Sequence, residues 1–300
     1  MLKFPLPAIN DRDGLKVPES LPMIVDSHVH LFPPKIFKSI WKWFEEYGWP
    51  IRYQLDTSGI LEFLLSRGVN HIIVLQYAHK PGIAQGLNNY LSKQCRKYPE
   101  QVTGLATVFP GEEGSELIIK NAFQSGLKGI KLHAHVQCFD MNSKEMDIIY
   151  ETCSSLKKPI VMHVGREPKS PAYKCDPYLL CSADKLERII KNFPKLRVCV
   201  PHLGINEFSE YQHLIEKYDN LWLDTAMALT DYLPGHTPPS LNKMRLDRIM
   251  YGSDFPNIPY AWDRELQCIH KANLSKKSLK LILGKNAINF FSIEKDRATN

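Results

Sequence analysis

Short runs of apolar and β-branched residues recur along this chain, separated by stretches whose apolar positions follow a helical period. The runs are Met23–Asp26, His71–Gln76, Val102–Phe109, Gly129–Leu132, Pro159–His163, Arg197–Pro201, Leu221–Asp224 and Arg248–Gly252. Cores such as Val198-Cys199-Val200 are apolar at every position rather than at alternate ones. That pattern suits strands covered on both faces, as in a parallel sheet. Between the runs, Ile60–Ser66, Ser115–Phe123, Ser143–Leu156, Ala183–Ile190 and Glu207–Tyr218 read as helices. Gly126 stops the second of these, and Ser143 opens the third as an imperfect capping box. Lys276–Phe291 reads as two short helices broken at Gly284.

The runs start about 24 to 48 residues apart, the length of a βα unit. Eight such units predict an α/β fold closed as a (β/α)8 barrel. An open doubly wound sheet is the rival. It would carry a Gly-rich phosphate turn after its first strand, and none follows His30. Two connections exceed what a βα loop needs, and they distort the expected barrel. Residues 31–56, after strand 1, hold Trp41, Trp43, Phe44, Tyr47, Trp49 and Tyr53. Residues 225–246, after strand 7, hold Pro234, His236, Pro238 and Pro239. Both follow strand C-termini, so both should overhang the mouth where barrels place their chemistry. One domain over residues 1–300 is expected, with 1–22 as an N-terminal extension.

Composition narrows the class. At 300 residues and 44% hydrophobic, the chain can bury a large core. The net charge of +6 is spread thinly, with no Lys/Arg run longer than two, so no nucleic-acid partner is expected. Seven cysteines, an odd number without a Cys-x-x-Cys pair, read as reduced thiols of a cytoplasmic protein. No stretch reaches the roughly 18 apolar residues of a membrane helix, and residues 1–22 hold no signal-like apolar run.

The chemistry collects at the strand ends. Strand 1 finishes in Asp26-Ser27-His28-Val29-His30, whose two histidines at i and i+2 share a face. Strand 4 ends at Lys131-Leu132-His133, strand 5 at Met162-His163, strand 6 at Pro201-His202 and strand 8 at Gly252-Ser253-Asp254. In a closed parallel barrel these ends ring one mouth. Each alone has a bland reading: a core histidine, a turn-capping aspartate or a snorkelling lysine. Burying all of them together without a ligand is costly, and a divalent metal supplies the compensation. Nitrogen and oxygen donors suit Zn²⁺ first, and also Mn²⁺, Fe²⁺ or Ni²⁺. A metal with an open position would lower the pKa of a bound water to about 7, with Asp254 placed to take the proton and His202 to polarise a carbonyl.

These motifs resemble those of the amidohydrolase superfamily, in its amidohydrolase-2 branch of metal-dependent hydrolases with the TIM-barrel fold. The resemblance spans about residues 23 to 291 and includes Leu283-Gly284-Lys285-Asn286-Ala287. It implies that His28, His30, His163 and Asp254 are metal ligands. It implies that His202 is either a second-metal ligand or a catalytic acid/base. In the dihydroorotase-like branch a lysine placed like Lys131 is carbamylated and bridges two metals. In decarboxylase-like members one metal suffices. One metal is the expectation here, with Lys131 then a substrate-side cation or a buried ion-pair partner.

Substrate-choosing residues are expected at Arg166, which could fork onto a carboxylate or pair with Glu167 or another loop acid. Of His133 and His135, one should enter the site and the other lie at the surface. The aromatic set, Trp41 included, should form a lid or pack as a helix stripe on the barrel. Asp224 is expected to stay outside the reaction. The resulting expectation is hydrolysis of a carbonyl in a small carboxylated amide, ester or lactone, with Asp254 and His202 catalytic. The alternative enzyme is a decarboxylase of aromatic or unsaturated acids. A non-catalytic metal-binding barrel is the alternative from another class, and the intact ligand set argues against it. A metal-dependent DNase fits the charge and the aromatic loop poorly. Beyond a small-molecule substrate, the expected partner is a second copy in a homodimer.

Overall fold

A computed structural model of the chain describes residues 8, 10–167, 170–232 and 240–294. The eight predicted runs form eight strands: β1 (Val25–His30), β2 (His71–Leu75), β3 (Val102–Gly104), β4 (Ile130–His133), β5 (Ile160–His163), β6 (Val198–Val200), β7 (Leu221–Asp224) and β8 (Ile249–Met250). All pairings are parallel, β1 through β3 in one set and β4 through β8 in another. Single parallel bridges join the sets, Ala106 with Ile130 just past β3 and Val29 with Phe255 just past β8. Lys131 N donates to Ala106 O at 2.7 Å and His30 N to Phe255 O at 2.8 Å across these seams. The ring closes, and the fold is the (β/α)8 TIM barrel.

The two faces of each strand bury different things. Val25, Ile73, Leu105, Val161, Cys199, Trp222 and Met250 cluster inside the barrel with Phe290 and Phe291 of the terminal helix Asn286–Phe291. Their chain neighbours, such as Ile24, Ile72, Ile160, Val198 and Leu221, pack with the surrounding helices. Further along several strands the inward face turns polar: His163 two residues after Val161, Asp224 two after Trp222, and Lys131 and His133 on β4. In β1 a register shift between Asp26 and Val29 inserts one extra residue against β2. That bulge brings His28 and His30 onto the same inward face as Val25. Gly252 lets β8 pass this point, since a Cβ there would sit 2.8 Å from the His28 Cβ.

The connection after β1 is not an open loop. Pro34–Tyr47 is a helix. Its Phe37 is buried and stacks on Trp41 at 5.5 Å. Helices Ala84–Cys95 and Arg264–Lys271 were not among the expected helices. Asp56 caps helix Thr57–Ser66 by accepting from Gly59 N at 2.8 Å, and Ser182 caps Ala183–Asn192 by accepting from Lys185 N at 3.2 Å. Ser143 precedes Lys144–Ser155 but its side chain makes no cap bond. Gly284 does not break the last helical stretch. It lies in a wide π-helical turn, Leu281–Lys285, between Lys276–Lys280 and Asn286–Phe291. A Cβ on it would meet Met23 O at 3.0 Å, so its bareness serves close packing. Pro234, His236, Pro238 and Pro239 lie outside the described residues. All seven cysteines are free thiols. No helix among the described residues is long and apolar enough to cross a membrane.

Candidate metal centre

At the mouth, the β1 bulge and the β8 turn are stitched together by their backbones. Asp254 N donates to His28 O at 2.9 Å. The Asp26 carboxylate accepts from His28 N at 3.1 Å and Ser253 N at 3.0 Å, which pins the motif's first residue to the strand it faces. Burial pushes the Asp26 carboxyl up to about 7. Asp254 itself is held at φ +64°, a conformation that costs a non-glycine residue and persists only where the surroundings enforce it.

Three donors then converge. His28 Nε2 and His30 Nε2 lie 3.3 Å apart, and Asp254 Oδ1 lies 3.4 Å from the first and 3.0 Å from the second. His28 Nδ1 is 2.8 Å from Asp224 Oδ2, so its proton sits on Nδ1 and its Nε2 is a bare lone pair. Burial lowers the pKa of both imidazoles, and the Lys131 charge lowers His28 further. Burial alone would raise the Asp254 carboxyl, but the His30 hydrogen bond and the nearby His28, His30 and His202 hold it well below the usual range. Lone pairs and an anionic oxygen thus point at one spot, an arrangement that fits a divalent cation. The Asp224–His28 contact is the carboxylate–imidazole support that such ligands use.

Lys131 is fully buried, with Nζ 3.5 Å from His28 Nε2. Burial pulls its amine down to about 8 against the opposing pull of Asp224 and Asp254. His202 donates from Nδ1 to Ala226 O at 2.7 Å, and its backbone N–H reaches Asp224 Oδ1 at 3.1 Å. Its Nε2 faces His163 Nδ1 at 3.1 Å, and His163 Nε2 contacts Glu167 Oε1. His163 therefore faces His202 and Glu167 rather than the three converged donors. The chain Ala226 O–His202–His163–Glu167 has three contacts, and two neutral imidazoles carry only two protons. One further proton, or a cation in its place, completes it.

The remaining expected residues are distributed as follows. His133 stacks on His163 at 4.0 Å between ring centres and lines a cavity of about 700 Å³. His135 is fully buried and lines the same cavity, so neither of the pair takes the surface position expected for one of them. Ile36, Ile40, Trp43 and Phe44 of helix Pro34–Tyr47 form one wall, and Tyr77, Phe109 and Tyr173 others. Trp41 is on the helix's other side, against Phe37, and is not among the lining residues. Arg166 points away from the cavity, its Nε 3.7 Å from Glu207 Oε1 and its guanidinium 5.5 Å from the Tyr178 ring. Sequence reasoning missed Glu167 as a partner of imidazoles and underrated Asp224. The signal for Glu167 was its place four residues beyond a strand-end histidine. For Asp224 it was the end of an inward-facing strand.

A barrel with imidazoles and a carboxylate gathered at its C-terminal mouth defines a class of metal-dependent α/β-barrel enzyme. The family model described as Amidohydrolase matches residues 25–293, and the chain belongs to that family. It is a metal-dependent enzyme whose cofactor is a divalent metal. Solved structures share the fold. An uncharacterized TIM-barrel protein from Bordetella bronchiseptica aligns with a TM-score of 0.70 at 16% identity, over 91% of this chain and 99% of that one. A 5-carboxyvanillate decarboxylase from Novosphingobium aromaticivorans, solved with manganese and 4-hydroxy-3-methoxy-5-nitrobenzoic acid, aligns at 0.66 and 19% identity, over 93% and 99%. A 2,6-dihydroxybenzoate decarboxylase from Rhizobium aligns at 0.63 and 17% identity, over 91% and 99%.

Proposed function

We propose that this enzyme decarboxylates a small aromatic carboxylic acid. The observation that carries the reading is the cavity: Trp43, Phe44, Tyr77, Phe109 and Tyr173 give it aromatic walls, and among the described residues its lining contains no acidic side chain. Lys35, Lys80 and Lys174 add cations to that lining, which suits an anionic aromatic guest. The decarboxylases among the similar barrels act on such acids.

His28, His30 and Asp254 would hold the metal, with Asp224 fixing the His28 tautomer. A divalent ion there supplies Lewis-acid polarisation of the substrate's oxygens. Two imidazoles and a carboxylate accept Zn²⁺ and Mn²⁺ alike, and manganese in the 5-carboxyvanillate decarboxylase makes Mn²⁺ the first ion to test. The buried Lys131 amine offsets the carboxylates of Asp224 and Asp254. His202 and Asp254 are the catalytic residues of this reading. The chain His202–His163–Glu167 has a place for one proton beyond two neutral rings. Proton transfer to the ring carbon that bears the carboxylate weakens the bond to it. That bond's electrons return to the ring, and CO₂ leaves. The helix bearing Trp43 and Phe44 shields the ring from water.

Carbonyl hydrolysis is the second reading, favoured by the ionised state of Asp254, which can take a proton from water. One experiment separates them. Enzyme loaded with Mn²⁺ or Zn²⁺ is given hydroxybenzoates in one arm and cyclic amides, esters and lactones in another, with CO₂ release and carbonyl hydrolysis detected separately. CO₂ release supports decarboxylation. Hydrolysis without CO₂ replaces it with the second reading, and inertness of the loaded enzyme in both arms overturns both.

A further inference from the structure

Two thiols meet at the rim of the aromatic cavity. Cys138 ends the helical turn Ala134–Gln137 and lines the cavity. Cys175 directly follows Tyr173 and Lys174, which line the cavity from the segment after β5. Both thiols donate to one oxygen: Cys138 Sγ lies 3.5 Å and Cys175 Sγ 3.3 Å from His135 O. A carbonyl shared in this way holds the two sulfurs side by side, although they come from different loops.

The backbones that carry the pair are also close. The turn Ala134–Gln137 packs against the short helix Pro177–Leu180, whose cap residue Asp176 follows Cys175. Asp176 Oδ1 accepts from Tyr178 N at 3.0 Å, so Cys175 leads into a fixed turn. Cys138 is held at φ +53°, the left-handed conformation that glycine or asparagine usually fills at a helix end. The two thiols differ in access. Cys138 is exposed, so an oxidant meets it first, while Cys175 is half-buried. Burial, then the hydrogen bond and charge of Cys138, push the Cys175 thiol up to about 12, so it stays protonated beside its neighbour. Cys153, Cys181 and Cys199 are buried.

We propose that Cys138 and Cys175 form a modification site, at which a peroxide converts the two thiols into a reversible disulfide that fastens the Tyr173 segment to the turn bearing His135. The Cys138 thiolate attacks one peroxide oxygen, the O–O bond breaks, and the far oxygen leaves as hydroxide and takes up a proton. Cys138 is then a sulfenic acid. The Cys175 sulfur attacks the Cys138 sulfur, the S–O bond breaks, and the Cys175 proton goes with the departing hydroxyl as water. The thiols lose two electrons between them, and hydrogen peroxide becomes two waters. An external dithiol reverses the bond by exchange, as it does for disulfides that solvent can reach. Tyr173 stands 5.8 Å from Trp43 and 5.6 Å from His135 between ring centres. Fastening the residues beside it restricts a guest's way past that ring. This consequence rests on the proposed use of the cavity, and the bond itself does not.

The test maps disulfides. Reduced, Zn²⁺-loaded enzyme is treated with hydrogen peroxide, its remaining thiols are alkylated, and unreduced peptides are read by mass spectrometry. A Cys138–Cys175 crosslink within one chain is expected in wild type and should disappear with dithiothreitol. Cys175→Ser should instead leave Cys138 as a sulfenic acid that dimedone traps, and Cys138→Ser should give neither product. Circular dichroism checks that both variants fold. In the oxidised enzyme, amide hydrogen exchange over residues 172–176 should slow about 10-fold. Turnover on whichever substrate the enzyme accepts should fall about 10-fold and return with dithiothreitol. Peroxide that leaves both thiols free, a different pairing, or a crosslink between chains overturns the site. A Cys138–Cys175 bond with unchanged exchange or unchanged turnover overturns its hold on the cavity. If no substrate is found, the proposed function fails while the mapped bond and the exchange rates still decide this site.

Discussion

His28 Nδ1 rests 2.8 Å from Asp224 Oδ2, a contact between strands β1 and β7 across 196 residues of chain. It decides which nitrogen of His28 is free. It also joins the site's first motif to an aspartate whose other oxygen holds the His202 and Ala226 amides, each at 3.1 Å. Asp224→Asn keeps the shape but weakens the charge-assisted bond. Metal affinity should fall about 10- to 100-fold with the fold retained. Competition with a chromophoric chelator measures this, and an unchanged affinity would show that Asp224 orients nothing.

Metal removal should act on stability as well as turnover. An ion that binds only the folded chain adds about 2.7 kcal/mol at 100 times its dissociation constant. Chelation is therefore expected to abolish activity and to lower the melting temperature together, with both restored by the added ion. His30→Ala and Asp254→Asn should be inactive and should melt at the same temperature with or without metal. A melting temperature indifferent to chelator in the wild type would count against a resident ion.

The segment after β6 makes a third prediction. His202, Leu203, Gly204 and Ile205 all have positive φ, and at Gly204 a Cβ would lie 2.0 Å from the Tyr211 ring. Gly204→Ala forces the buried Tyr211 or the turn to move. The cost should be about 1–3 kcal/mol from overpacking, with about 1 kcal/mol more for the left-handed backbone. Urea unfolding reads the total. Because the turn carries His202, turnover per folded molecule should also drop. Wild-type stability in this variant would mean that the turn is looser than its contacts imply.

The barrel was legible because its strands are buried on both faces, which leaves unbroken apolar runs such as Ile72-Ile73-Val74-Leu75 at a regular spacing. Strand ends then followed, and with them the gathering of His28, His30 and Asp254. What lay beyond the strands was harder to read. The aromatic set after β1 was read as either a lid or a helix stripe, and helix Pro34–Tyr47 is aromatic on two sides, since Phe37 and Trp41 face the core while Trp43 and Phe44 line the cavity. Arg166 was expected to fork onto a substrate carboxylate or to pair with Glu167 or another loop acid; it lies against Glu207 and leaves Glu167 to the imidazoles. Chain adjacency is a poor guide where a loop folds back over a barrel mouth. The expectation that one of His133 and His135 would lie at the surface failed for a related reason: past His133 the chain has already turned into the helical turn Ala134–Gln137, which keeps both at the cavity.

Those two tryptophans give the sharpest test of the cavity. Trp41 and Trp43 sit two positions apart on one helix and so face different ways. Trp41 packs on Phe37 beneath the helix, while Trp43 lines the cavity and lies 5.8 Å from Tyr173 across it. Trp41→Ala removes core contact and should cost about 2–4 kcal/mol of stability, with KM close to that of wild type in the folded fraction. Trp43→Ala should cost less stability and raise KM for an aromatic acid about 10-fold or more, the loss of one aromatic wall. Replacing it as Trp43→Phe should recover most of the binding. The pair of KM values, set beside the pair of unfolding midpoints, separates a cavity wall from a structural stripe. Equal effects of both substitutions on KM would mean that the helix acts as a whole and that Trp43 has no separate part in holding the ring.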